Sequence, residues 1–146
     1  MILFSSELEL RLENKIKMNK FIIDVVNEKI FLMLITNKNI YNITYDNTKI
    51  NYEKLTIIID DFLKTRSLKI DDISKIYINI GPGSFAGIRN SLSIVKGIHL
   101  VKNIDYFCFS FSDFTKENIK KLNNWKNLPN LCRKYKIKKN LINPLY

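Results

Sequence analysis

From residue 20 the chain runs through three short β-patterned segments, FIIDVV (residues 21–26), KIFLMLIT (29–36) and NIYNITYD (39–46). The polar pairs NE and NK join them and are short enough for hairpin turns, so an antiparallel three-strand meander is predicted. The period then changes. In NYEKLTIIIDDFLKTRSL (51–68) Leu55, Ile58, Ile59, Phe62 and Leu63 recur at three- and four-residue steps, the stripe of an amphipathic helix. Asn51 is the predicted N-cap, with Glu53 in the first turn, and Ile57 points away from the stripe. KIYINI (75–80) reads as a fourth strand, Gly87 onward as a second helix, DYFCFSF (105–111) as a fifth strand and SDFTKENIKKL (112–122) as a further helix. The order β-β-β-α-β-α-β places a mixed sheet under packed helices, an α/β fold, because strands alternating with helices pair in parallel. Residues 1–17 form a charge-alternating lead compatible with either helix or strand. Met18, just before the first strongly apolar run, is a candidate start, which leaves the lead an extension of uncertain status. The globular unit is expected over 18–115 and a basic helix and tail over 116–146.

The second helix carries more information than its apolar stripe. At about 100° per residue, Ile88, Ser91, Leu92, Ile94, Val95, Ile98 and Val101 share an arc expected to face the sheet. Arg89 and Lys96 lie opposite. Between them runs a strip of Asn90, Ser93 and Gly97, where small residues four apart would admit a close helix neighbour or would simply be tolerated facing solvent. His99 falls at the margin of the apolar arc, as a half-buried packing residue would.

The chain has 146 residues, enough for one domain with a core. Its longest apolar runs fall far below the ~20 residues that span a bilayer, and its amino terminus lacks a basic n-region, so no signal peptide is expected. The net charge of +10 is unevenly placed: nine of the 24 basic residues lie in 116–146 opposite one acid, Glu117. In that tail Lys134, Lys136, Lys138 and Lys139, near Trp125 and Tyr135, could contact nucleic-acid phosphates and bases; a solvated basic segment reads equally well. With two cysteines, Cys108 and Cys132, far apart and one histidine, the chain offers no Cys/His zinc site of its own. Two reduced thiols of a cytoplasmic protein are the simplest reading.

Three of the four glycines fall within seven positions, in GPGSFAGIR, residues 81–89. A strand entering such a corner and leaving as a helix gathers backbone N–H groups at the positive helix end, which suits an anion. The P-loop and dinucleotide patterns both fail here: no Lys-Ser or Lys-Thr follows Gly87, and Ala86 stands where G-x-G-x-x-G requires glycine. A tight turn that uses Gly81 and Gly83 for unusual backbone angles is the favoured reading.

The same string, Gly81, Pro82, Gly83, Ser84, Phe85, Ala86, Gly87, Ile88 and Arg89, closely resembles the GPGSFTGLR signature of the bacterial TsaB (YeaZ) family. The resemblance extends from the first strand KFIIDVV to Phe111, covering residues 20–111. It implies an actin-like ATPase (ASKHA, ribonuclease H-like) fold. It also implies a role as the non-catalytic dimerisation subunit that supports the transferase TsaD in threonylcarbamoylation of tRNA adenosine beside the anticodon. A TsaE-like ATPase would complete the assembly, tRNA would be met through the complex, and a homodimer in isolation stays open. The implied partner interface comprises Lys54, Ile57, Arg89, Asn90, Ser93, Lys96 and Gly97. No catalytic residue, metal or cofactor is implied for this chain, although ATP or ADP could sit at the partner interface. The alternatives are a nucleotide-binding protein of the same fold, using the corner and Asp24, and a tRNA-binding module using the basic tail. Departures from the family pattern are Ala86 for the usual threonine, Asn51 for the usual histidine, and VVN after Asp24 where active relatives carry small hydroxyl residues. Most of the family's second domain has no counterpart apart from the terminal NPLY, which fits either a shortened scaffold or a fragment of a longer gene.

Overall fold

A computed structural model describes residues 18–117 and 124–141. Five strands form one sheet: β1 (Lys20–Asp24), β2 (Lys29–Ile35), β3 (Ile40–Asp46), β4 (Lys75–Asn79) and β5 (Asp105–Phe109). Their spatial order is β3-β2-β1-β4-β5. The meander predicted from the tight NE and NK turns is present: β1 pairs antiparallel with β2, and β2 with β3. β4 joins the other side of β1 in parallel, and β5 joins β4 in parallel. The expected α/β architecture with a mixed sheet is therefore the observed one. β1 lies at the centre, and Phe21, Ile22 and Ile23 are all fully buried, as a strand covered on both faces requires.

Side chains alternate across the sheet. On one face Phe21, Ile23, Leu32, Leu34, Ile76 and Ile78 pack against Leu55, Ile58, Ile59, Phe62 and Leu63 of α2 (Leu55–Lys64) and Leu92 and Val95 of α3 (Phe85–Lys102). On the other, Ile22, Met33, Tyr77 and Phe109 pack against Phe114, Leu128, Leu131 and Cys132. The last three belong to α4 (Leu128–Lys134). The basic tail is thus more than a solvated segment. Its apolar residues form half of a second core, and Trp125 and Tyr135 lie against it. A β-bridge from Lys139 to Phe107 ties the chain beyond α4 to the edge of β5.

The first helical stretch departs from its expected form. It begins earlier, as α1 (Lys49–Glu53), and its N-cap is Thr48, whose hydroxyl accepts the Asn51 N–H at 3.4 Å. Asn51 lies inside α1 and donates instead to the Asp46 carbonyl at 2.8 Å. At Lys54 the backbone leaves helical geometry, and α2 starts afresh at Leu55. α2 stops at Lys64, short of residue 68, where Ser67 takes φ 57° and the Leu68 N–H returns to the Leu63 carbonyl at 3.0 Å.

β5 ends at Phe109, two residues early, because Ser110 caps a 3₁₀ turn, Phe111–Phe114, in a reciprocal box with Asp113. That turn occupies the start of the helix expected over 112–122, and residues 118–123 lie outside the described ones, as does the lead, 1–17. Among the described residues no helix is long and apolar enough to cross a membrane.

Candidate functional site

The glycine corner joins β4 to α3. Burial draws Ile80 inward, and Gly81 follows at φ 103°, a conformation open to glycine and costly for other residues, before a cis Gly81–Pro82 bond. Gly83 has a different requirement from the one its neighbour suggested. Its φ is not in the left-handed region, yet an added Cβ would lie 2.2 Å from Val26 Cγ1 and 2.5 Å from the Val26 carbonyl oxygen. Gly87 is constrained likewise, 2.2 Å from the Val25 carbonyl oxygen. Both glycines let the corner lie flat on the loop after β1, where the Ser84 N–H donates to the Val26 carbonyl at 2.9 Å. Ser84 is also the N-cap of α3, its hydroxyl accepting the Gly87 N–H at 3.2 Å, so α3 begins at Phe85, two residues before the expected start.

Asp24 lies beneath this corner, only 3% exposed. One carboxylate oxygen accepts the Val26 N–H at 3.0 Å and the other accepts Asn79 Nδ2 at 3.3 Å. The Asn79 side-chain oxygen Oδ1 accepts the Gly81 N–H at 3.0 Å. Burial pushes the Asp24 carboxyl above its ordinary range, and the bonds from Val26 and Asn79 pull part of the way back. The carboxylate therefore braces the ends of two adjacent strands and, through Asn79, the first residue of the corner.

α2 and α3 cross the same face of the sheet, and an open, largely apolar groove of about 300 Å³ lies between them, lined by Ile57, Ile59, Leu63, Ile70, Ile94 and Ile98. Ile57 turns away from the core as expected and is 60% exposed on the groove rim. Arg89, Ser93, Lys96 and Gly97 are exposed on α3, Asn90 is half-buried, and Lys54 is exposed between α1 and α2. A Cβ at Gly97 would meet nothing within 4 Å. The expected arc of α3 proves too long. Ile88, Ser91, Leu92 and Val95 are buried, but Ile94 and Ile98 are half-buried in the groove and Val101 is 79% exposed. The reason is angular: at about 100° per residue Ile98, Ile94 and Val101 lie roughly 70°, 110° and 130° from the centre of those four buried residues, so the sheet-facing arc is narrower than expected and its flank opens on the groove. Leu100, 77% exposed beside Val101, and Ile50, 68% exposed on α1, are apolar surface residues outside the expected arc. His99 is half-buried, its Nδ1 2.9 Å from the Ile104 carbonyl oxygen and its ring edge-on to Tyr106.

The four tail lysines do not form one group. Lys134 pairs with Glu117 at 2.6 Å and Lys139 with Asp105 at 3.4 Å. Lys136 and Lys138 are exposed, and neither makes an ion pair among the described residues.

The groove, the corner and the helices that frame them fall within a stretch matched by a family model described as TsaD: tRNA N6-adenosine threonylcarbamoyltransferase, over residues 49–123. The chain belongs to the TsaD family. Solved structures with its fold include YeaZ from Pseudomonas aeruginosa, at 17% identity and a TM-score of 0.59, over 64% of this chain and 44% of that one. A second is an uncharacterized protein with similarity to peptidase YeaZ from Pseudomonas aeruginosa, again at 17% identity and TM-score 0.59, over 64% of this chain and 43% of that one. The TsaD-family chain described here thus superimposes on less than half the length of either structure, and the shared part holds a YeaZ-like α/β sheet with its helices.

Proposed function

We propose that this chain is a non-catalytic scaffold subunit of the tRNA threonylcarbamoylation machinery, holding a TsaD-like transferase against its α2–α3 face. The observation that carries the reading is the apolar groove between α2 and α3, with exposed Ile57 on its rim and open space at Gly97 on α3. Half-buried isoleucines lining a surface groove gain stability when a partner removes them from water. A residue without a side chain at the crossing lets the partner helix approach closely. The bracing of Asp24 by Val26 and Asn79 supports the non-catalytic part, since that carboxylate is committed to holding the corner. In this reading the transferase carries the chemistry, a TsaE-like ATPase joins the assembly in the cytoplasm, tRNA is met through the complex, and no cofactor is assigned to this chain itself.

Ile57→Asp and Gly97→Trp test the reading, because both positions are exposed and neither change intrudes on the core. Co-expressed with the transferase, each variant should fold normally and lose co-purification at least about tenfold, the effect of burying a charge or a bulky ring at a packed contact. Undiminished complex formation by both variants overturns it, as does tRNA modification by this chain unaided.

A further inference from the structure

On the sheet face opposite α2 and α3, the cations that the tail leaves unpaired meet others from the strands. Side chains on this face include Lys20 from β1, Lys75 and Tyr77 from β4, and Phe107 from β5; Lys20 and Lys75 are register partners. α4 and the turn after it bring Arg133 and Lys136 to the same place, around a cleft of about 250 Å³ lined by Lys75, Tyr77, Phe107, Arg133 and Lys136 among others. Tyr77 and Phe107 stack with ring centroids 5.1 Å apart along its floor. Four cations thus converge from three separate parts of the chain. Among the described residues none of Lys20, Lys75, Arg133 and Lys136 makes an ion pair.

Of the acids of the neighbouring segments, Asp105 is held by Lys139 and Asn140, and Asp113 accepts the Ser110 N–H while its charge is felt at Cys132 on the cleft wall, one carboxylate against four cations. The cations feel one another: partial burial lowers the Lys20 pKa, and the charges of Arg133 and Lys75 lower it further. Lys136 also occupies a left-handed position, φ 53°, at the end of α4, where glycine or asparagine is the usual residue. A backbone angle that suits glycine has been given to a charged side chain at the cleft wall.

We propose that this cleft is a phosphate-binding site, its cations holding the phosphate group and its aromatic floor lying beneath whatever the phosphate carries. Unpaired like charges around a concave wall focus a positive field that an anion relieves, and arginine offers two parallel donors to a phosphate. The phosphate could belong to a free nucleotide or to an RNA backbone. Because the cleft lies on the face away from the α2–α3 groove, it stands or falls independently of the scaffold reading.

The test uses the full chain, with inorganic phosphate, AMP and a short single-stranded RNA as separate probes. Backbone amide shifts at Tyr77, Phe107 and Lys136 report occupancy, and RNA affinity is read at 50 and 200 mM salt. Lys136→Gly removes the charge at a position whose backbone glycine prefers, so folding is retained; Arg133→Gln changes an exposed side chain. Each should weaken binding about tenfold, as loss of a hydrogen bond to a charged group does, while Lys64→Gln, at the end of α2 on the opposite face of the sheet, should leave it unchanged. Shifts with AMP or phosphate identify a free small-molecule source. Binding of RNA alone, with the salt slope falling by about 0.7 per charge removed, identifies the backbone of RNA. No shift at these amides with any probe, or full affinity retained in both variants, overturns the proposal.

Discussion

At Gly87 an added Cβ would stand 2.2 Å from a main-chain carbonyl oxygen that cannot swing aside, so Gly87→Ala should cost about 1–3 kcal/mol in urea unfolding. Asp24 gives a prediction with a sign. Its folded pKa is raised, so the folded state holds the proton more tightly than the unfolded one. Its contribution to stability is complete below the ordinary value of 3.8 and is lost as pH rises through the folded value. Asp24→Asn removes that titration. The stability difference between parent and variant should therefore move against the parent as pH climbs, measured by urea midpoints across the acid range. The glycine cluster was legible as a tight corner, and Gly81 at φ 103° matches the reason given for it. The reason for Gly83 was not legible, because it lies in Val26, which reaches the corner only once β1 and β4 are neighbours. The Asp24–Asn79 bond, spanning 55 positions, was hidden for the same reason.

Element by element, periodicity succeeded wherever one face of a segment meets the sheet along its whole length. All five residues of the α2 stripe, from Leu55 to Leu63, are buried. It failed where the predicted arc was drawn too wide, as on α3, where Ile94 and Val101 sit roughly 110° and 130° round the helix from the buried stripe. Caps were harder still. Thr48 and Asn51 are both good capping residues, and the choice between them turned on the Asp46 carbonyl that Asn51 binds. Gly97 offers a direct measurement at this scale. With open space around its missing Cβ, Gly97→Ala should stabilise the isolated chain by about 0.5–1 kcal/mol through helix propensity alone, read from urea or thermal unfolding.

Across the whole molecule the sheet is buried on both faces by segments of very different kind. Two amphipathic helices cover one face and were predicted from their stripes. Residues 124–141 cover the other; Trp125, Leu128, Leu131, Cys132 and Tyr135 do recur at three- and four-residue steps, but the lysines and asparagines between them drew the reading to charge, and Ile137 follows on a strap beyond the short helix. Leu131→Ala should cost about 2–5 kcal/mol, the usual penalty of emptying a packed position. Cys132 supplies a probe of the same region. Burial pushes its thiol up to about 12 and leaves it 2% exposed, so near neutral pH it should react with a maleimide only when α4 lifts. In a Cys108→Ser background the labelling rate should rise in step with the destabilisation caused by Leu131→Ala.

That arrangement also fixes an order of events during translation. The face beneath α2 and α3 can close as soon as β5 has been made, but Ile22, Met33, Tyr77 and Phe109 stay uncovered until the ribosome has delivered Leu128 through Cys132. Nascent chains halted before that point would carry a bare apolar sheet face, the kind of surface that chaperones hold and that otherwise drives aggregation.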